Sequence, residues 1–414
     1  MTEPGTQLGT PSGTQRRVVL HVGAPKSGTT YLQRVLWANR DGMRQVGFLV
    51  PGRTQRDMFE AAIQVRETYQ QWGMAREALA GRWEGLCSEA RAFHGTTIMS
   101  HEMLAPASRT QAAAALSELA GLEVHLVFSA RDLVRQALSE WQERVKNGST
   151  VTFASFAATI RKQAGRGGPS NSFWRYQDIV SVFDRWGADL PAAHLHVVVA
   201  PRPGASPDEL WRRFAAAAGL DAQRFPAANL DGPANQTLGA TQTAILRKVN
   251  EALDGRIVQP DYARIVKRQF AQRTLAAHAS PRPGCPPELF TELRALSERW
   301  VEEIAQRGWS VHGDLAELLP EQTPSGAESG ATSAPHPDDV DPASEAALAA
   351  AVIADLLVER QQLRPAAGGA GRRPRQRGAG GDRAAAPRPV SVGRSVVSGL
   401  FSRSRGVLRA RSGR

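Results

Sequence analysis

The chain has 414 residues, a formal net charge of +11 and two cysteines, Cys87 and Cys285, which exclude a disulfide framework and offer no metal-ligand spacing. A reducing, cytoplasmic compartment is the simpler expectation. Twelve arginines and one aspartate lie between Pro365 and Arg414, leaving 39 basic and 39 acidic side chains in the first 364 residues, so the basicity belongs to a tail and the rest is electrically balanced.

Residues 1–15 lack an apolar core and read as a disordered leader, not a signal peptide. Arg17 to Leu36 then reads RVVLHVGAPKSGTTYLQRVL. Val18, Val19, Leu20 and Val22 predict a buried strand, and Gly23 to Gly28 a tight loop. Thr29, Thr30, Tyr31, Leu32, Val35 and Leu36 resume at helical spacing. Such a corner suits an anion, because the first amides of a helix have no partner within it and the helix dipole is positive there. Lys26 adds a full charge and is one of five lysines among 51 basic residues. A nucleotide-triphosphate P-loop shares the Gly23–Gly28 spacing but needs a lysine where Thr29 stands.

Further along, Val46–Val50, Gly95–Ser100, Leu122–Ala130 and Leu195–Ala200 read as strands. Asp57–Ala80, Ser108–Ala120, Leu133–Val145, Phe153–Gln163 and Trp174–Trp186 read as helices. The alternation predicts an α/β fold with a mainly parallel sheet, whose ligands sit beyond the carboxyl ends of the strands. Lys26, His101, Glu102 and Arg131 all fall at those ends. Past Gly219 the pattern turns helical, over Gln236–Leu253, Tyr262–His278 and Pro287–Gln306. Residues 308–320 close the domain. Residues 321–340 are rich in Pro, Ser, Gly and Ala and read as a linker. A helix over 341–364 follows, with an apolar stripe of Leu348, Val352, Leu356 and Leu363. Residues 365–414 form an arginine-rich tail that cannot bury a core.

Pro25, Lys26, Ser27, Gly28, Thr29 and Thr30 give P-K-S-G-T-T after the first strand. This resembles the 5′-phosphosulfate loop of sulfotransferases that use 3′-phosphoadenosine 5′-phosphosulfate (PAPS). Arg131, Asp132 and Ser139 resemble the same family's R-D-x-x-x-x-x-x-S element, which binds the 3′-phosphate. The resemblance spans roughly residues 17–320. It implies a P-loop-like three-layer domain over 16–320, with Lys26 and the loop amides on the 5′-phosphate and departing sulfonate. It further implies Tyr31 against the adenine, Arg131 and Ser139 on the 3′-phosphate, and no metal.

Similar enzymes place the proton acceptor, a histidine or a glutamate, where Ser100-His101-Glu102 stands. Both types occur here, and alternation along an extended backbone would turn only one of them into the cleft. The family's R-K-G loop is absent, and Lys267-Arg268 is a weak substitute. The expected activity is sulfonate transfer from PAPS to a hydroxyl or amine of an organic acceptor, such as a glycan, glycolipid or secondary metabolite. The rivals are a P-loop kinase and a nucleic-acid or anionic-membrane binding protein acting through the tail. The tail supports the second rival, but it is separable, and the pairing of two phosphate elements would then be coincidence, so nucleic acid is not the expected partner. The tail's arginines, interspersed with Val390, Val396, Leu400 and Phe401, allow peripheral contact with the inner face of a membrane.

Overall fold

The computed structural model describes residues 16–164, 172–227, 238–321 and 334–362. Six strands make one sheet: β1 Arg17–Gly23, β2 Phe48–Leu49, β3 Thr96–Ser100, β4 Glu123–Ala130, β5 Leu195–Val199 and β6 Ser310–His312. Their order is β2-β3-β1-β4-β5-β6, and every pairing is parallel. Val19 of β1 lies between Ile98 of β3 and His125 of β4. The first strand thus occupies the point where strand order reverses, which is where open parallel sheets leave a crevice for ligands.

Helices cover both faces, which is why the central strands read as nearly continuous apolar runs. Alternate residues of each strand serve the two cores. Val19, Val127 and Val198 pack under Leu32, Leu36, Leu210 and Phe214, from the helices Thr29–Gln45 and Glu209–Ala218. Leu20, Leu126 and Val197 pack under Trp141, Phe183, Trp186 and Trp300 on the other face.

Several expected elements differ in detail. The helix expected over Asp57–Ala80 stops at Arg66, where Glu67 turns left-handed at φ 56°; short turns over Tyr69–Trp72 and Arg76–Leu79 follow. Trp174–Trp186 divides at Asp178, whose carboxylate accepts from the Ser181 amide and starts the second half as a new helix. The helices Arg82–Ala92 and Glu209–Ala218 and the strand β6 are additions to the expected set. Tyr262–His278 contains a π-helical segment, Ala263–Thr274.

The helix Pro342–Gln362 buries Val352 against the core of Trp141, Phe183 and Trp300. Lys248 pairs with Glu345 at 2.7 Å, and His278 meets Asp355 at 2.9 Å. Just before it, the Asp338 carboxylate accepts from the amides of Phe153 and Ala154, at 2.8 and 2.7 Å, and so caps the helix Phe153–Gln163. The last residues of the expected linker, 334–340, are therefore anchored. The leader, linker residues 322–333 and the arginine-rich tail lie outside the described residues. Among the described residues, no helix is long and apolar enough to cross a membrane.

Candidate functional site

The loop between β1 and the helix Thr29–Gln45 is built by two glycines and held by four side chains. Gly23 has φ 139°, and a Cβ there would meet Ala105 Cβ at 3.2 Å and Glu102 Cα at 3.6 Å. Gly28 has φ 96°, and a Cβ there would overlap Leu210. Only glycine accepts both backbone conformations at no steric cost. Lys26 itself sits at φ 68°, a left-handed conformation that costs a non-glycine residue about 1–3 kcal/mol. Neighbours over-determine it. Gln136 and Gln177 donate to the Pro25 carbonyl at 2.9 and 3.2 Å, and Arg131 donates to the Lys26 carbonyl at 3.1 Å. Ser27 is buried and donates to the Ala24 carbonyl at 2.6 Å.

A buried polar chain underlies this loop. His21 of β1 bridges Ser100 Oγ at 2.8 Å and Ser129 Oγ at 3.0 Å, and Ser129 meets Ser27 Oγ at 2.5 Å. Burial pushes the His21 pKa down to about 4, so the ring is neutral and serves as a strut between three strand ends. His21 drew no attention in the sequence, where it sits inside an apolar run.

Arg131 links the same loop to Ser139. Arg131 reaches Ser139 Oγ at 3.4 Å as well as the Lys26 carbonyl. Burial pushes its pKa down to about 10, and Arg135 adds to that effect. It remains a cation at neutral pH. Asp132 caps the helix Leu133–Lys146 through the Arg135 amide at 2.9 Å, which fixes the strand–helix turn carrying Arg131. Thr29 is buried and Thr30 exposed, and no side chain caps this end of the loop helix. Tyr31 is half-buried against the core of Leu32, Leu210 and Phe214, with its hydroxyl buried and unpartnered among the described residues.

Three of the five lysines meet at one carboxylate. Lys26 and Lys146 lie 2.9 and 3.0 Å from Glu143 Oε2, and Lys267 lies 2.6 Å from Oε1. Burial would raise the Glu143 pKa, but Lys26, Lys146 and Lys267 together hold it far below the usual carboxylate range. The cluster carries a surplus of two positive charges beside the loop. Lys267 comes from the π-helical segment, a type of distortion common at functional sites. It arrives beside Lys26, whereas the sequence offered it only as a weak third contact.

His101 and Glu102 stand at the next strand end. The strand stops at Ser100 and a 3₁₀ turn begins at Glu102, so the alternation expected of extended backbone does not separate the two side chains. His101 Nδ1 lies 3.9 Å from Glu102 Oε2. His101 Nδ1 also accepts from the Met103 amide at 3.2 Å. In the neutral ring the proton is therefore on Nε2, leaving that nitrogen a donor. Glu102 Oε2 accepts from Gln33 Nε2, on the loop helix, at 2.8 Å. Burial would raise the Glu102 pKa; His101 and the Gln33 hydrogen bond outweigh it, and the carboxyl stays below its usual range.

The structure thus brings Lys26, Arg131 and Ser139 together by direct contacts. It sets Glu102 against Gly23, where the same loop begins. Compared with known proteins, the chain matches no family model, no curated protein and no solved structure.

Proposed function

We propose that the protein transfers a sulfonate group from PAPS to a hydroxyl or amine of an organic acceptor. The observation that carries this reading is the Arg131 guanidinium, which reaches both the Lys26 carbonyl of the loop and Ser139 Oγ. One anion is served by Lys26 and the uncapped amides of a helix N-terminus. A second is served by a guanidinium and a hydroxyl a short distance away. A nucleotide with phosphates on both its 3′ and 5′ positions fits two adjoining anion sites; a simple triphosphate uses one continuous cradle.

In this reading Lys26 leaves Glu143 for the transferring group, and Lys146 and Lys267 keep the local potential positive. The acceptor oxygen or nitrogen forms a bond to sulfur while the bond from sulfur to the bridging 5′-phosphate oxygen breaks. The electron pair leaves on the phosphate, and the acceptor's proton passes to a base. Glu102 suits that role better than His101, because it is ionised at neutral pH while His101 Nε2 holds a proton. His101 and Gln33 would then position the carboxylate.

Calorimetry with adenosine 3′,5′-bisphosphate, adenosine 5′-monophosphate and ATP tests the reading. The bisphosphate should bind at least about tenfold tighter than the monophosphate. Tighter binding of ATP with magnesium would favour a phosphotransferase, and no binding of any of them would overturn both. Mass spectrometry of a cell extract incubated with protein and PAPS then identifies the acceptor by its added sulfonate.

A further inference from the structure

The starting edge of the sheet carries a second cluster that the nucleotide reading leaves unused. Glu123 and His125 are the first and third residues of β4, and His194 ends the 3₁₀ turn that leads into β5. Their ligand atoms lie within 4.8 Å of one another. His125 is buried, whereas His194 and Glu123 are each about a quarter exposed, 26% and 25%, so an ion has a path from solvent.

Outer partners decide which nitrogens are free. His194 Nδ1 lies 3.2 Å from the Val124 carbonyl, which only accepts. The neutral ring therefore carries its proton on Nδ1 and presents a bare lone pair at Nε2, 3.9 Å from Glu123 Oε1. His125 Nε2 lies 2.6 Å from the same oxygen, and its Nδ1 lies 2.8 Å from His196 Nε2. His196 Nδ1 in turn lies 3.0 Å from His312 Nε2.

This row has two proton arrangements that keep both hydrogen bonds between rings. In one, every ring is protonated at Nε2 and the row donates toward Glu123. In the other, every ring is protonated at Nδ1 and donates toward His312. The second turns the His125 Nε2 lone pair toward Glu123, and both hydrogen bonds between rings survive. Without an ion that lone pair would face the Glu123 oxygen at 2.6 Å, so the second arrangement requires a cation there; in adopting it His125 Nε2 releases a proton and His312 Nδ1 takes one up from solvent. Metal-ligating histidines characteristically give their other N–H to a carbonyl or a second acceptor, as both rings here would.

We propose that Glu123, His125 and His194 form a binding site for a divalent transition ion of the zinc type, with an exogenous fourth ligand. Two imidazoles and a carboxylate are a donor set that zinc accepts in tetrahedral geometry. The rings of His125 and His194 stack with centroids 4.1 Å apart and planes 21° from parallel, so their lone pairs run side by side. Closure needs one ring to tilt, and His194, the exposed one, is free to do so. The Arg17 charge interacts with Glu123 and His125, which favours an anionic fourth ligand such as hydroxide or chloride. The site ties β4 to the turn before β5, at the opposite end of the strands from the Lys26 loop.

The test uses the full chain, stripped with a chelator and dialysed. Zinc is titrated calorimetrically and cobalt(II) by visible absorption. One equivalent should bind with micromolar affinity or tighter, and the cobalt bands should be those of a tetrahedral ion. Glu123→Gln and His194→Ala should each weaken binding by about tenfold or more. His278→Ala, which alters a histidine–carboxylate pair elsewhere, should leave it unchanged. His194 is partly exposed, so its variant should fold, and its affinity for adenosine 3′,5′-bisphosphate should match wild type whether that affinity is high or nil. Absent binding at high micromolar zinc, an octahedral cobalt spectrum, or equal affinity in wild type and both ligand variants would overturn the proposal.

Discussion

The two ends of the sheet gather ionisable side chains in opposite ways. At the carboxyl ends of the strands the groups are permanent charges: Lys26, Lys146 and Lys267 around Glu143, and Arg131 against the loop. From the starting edge runs a row of imidazoles, His125, His196 and His312, joined by hydrogen bonds. The glycine turn places Lys26 at the crevice of the parallel sheet, and packing of two further helices brings Lys146 and Lys267 to the same carboxylate. Strand register makes the histidine row. His196 stands opposite Val127, two residues beyond His125, and His312 stands opposite Val198, two beyond His196, so the row runs obliquely across three strands. One cluster concentrates positive charge around a single carboxylate, the other links imidazoles by hydrogen bonds.

The largest expected effect separates chemistry from binding at the charged end. Glu102→Gln should lower kcat by about 10²-fold or more, with affinity for adenosine 3′,5′-bisphosphate nearly unchanged. His101→Ala should cost less, because its role is to position the carboxylate. Full turnover in the Gln variant would move the base elsewhere.

Next in size is Arg131→Ala, which removes one of the two proposed anion contacts. Loss of a charged hydrogen-bond donor should weaken the bisphosphate by about 10- to 100-fold. Binding of adenosine 5′-monophosphate should change far less. Equal weakening of both would remove the 3′-phosphate from the argument.

Glu143→Gln tests whether the lysines are held for an anion. Lys146 is buried, and without Glu143 it would face two like charges. The variant should lose about 2–4 kcal/mol of stability, measured by urea unfolding. Added sulfate should restore more stability to the variant than to wild type, since it supplies the missing negative charge. Equal restoration in both would mean that the three ammonium groups do not form an anion site.

How visible these features are in sequence follows from how local they are. The Lys26 loop is contiguous, and Arg131 and Ser139 lie eight residues apart, so local pattern reveals them. β6 is three half-buried residues that owe their conformation to pairing with β5, and no periodicity of their own marks them. Lys267 and Lys26 meet Glu143 from 124 and 117 residues away, which only the packing of the helices decides. The histidine row takes one residue from each of three strands; His125 and His196 look like interruptions of apolar runs, and His312 sits in a strand that no pattern marks, until the register is known.

The smallest expected effect concerns the one histidine at the charged end that is fully buried. His21 has its pKa pushed down to about 4 by burial, against an ordinary value of 6.5; Glu102 opposes the shift and His101 adds a little to it. The unfolded chain therefore takes up this proton first as pH falls. Stability arising from neutral His21 is complete above pH 6.5 and is lost progressively as pH falls toward 4. Between pH 7 and pH 5 the loss should be about 1–2 kcal/mol. His21→Asn can keep polar contacts with Ser100 and Ser129 but cannot titrate. Its unfolding free energy should fall less steeply over that interval than wild type, whatever its value at pH 7. The difference in slope reports His21 together with its coupling to His101 and Glu102. Identical slopes, with chelator present in both samples, would mean that the strut beneath the loop takes up its proton as readily when folded as when unfolded.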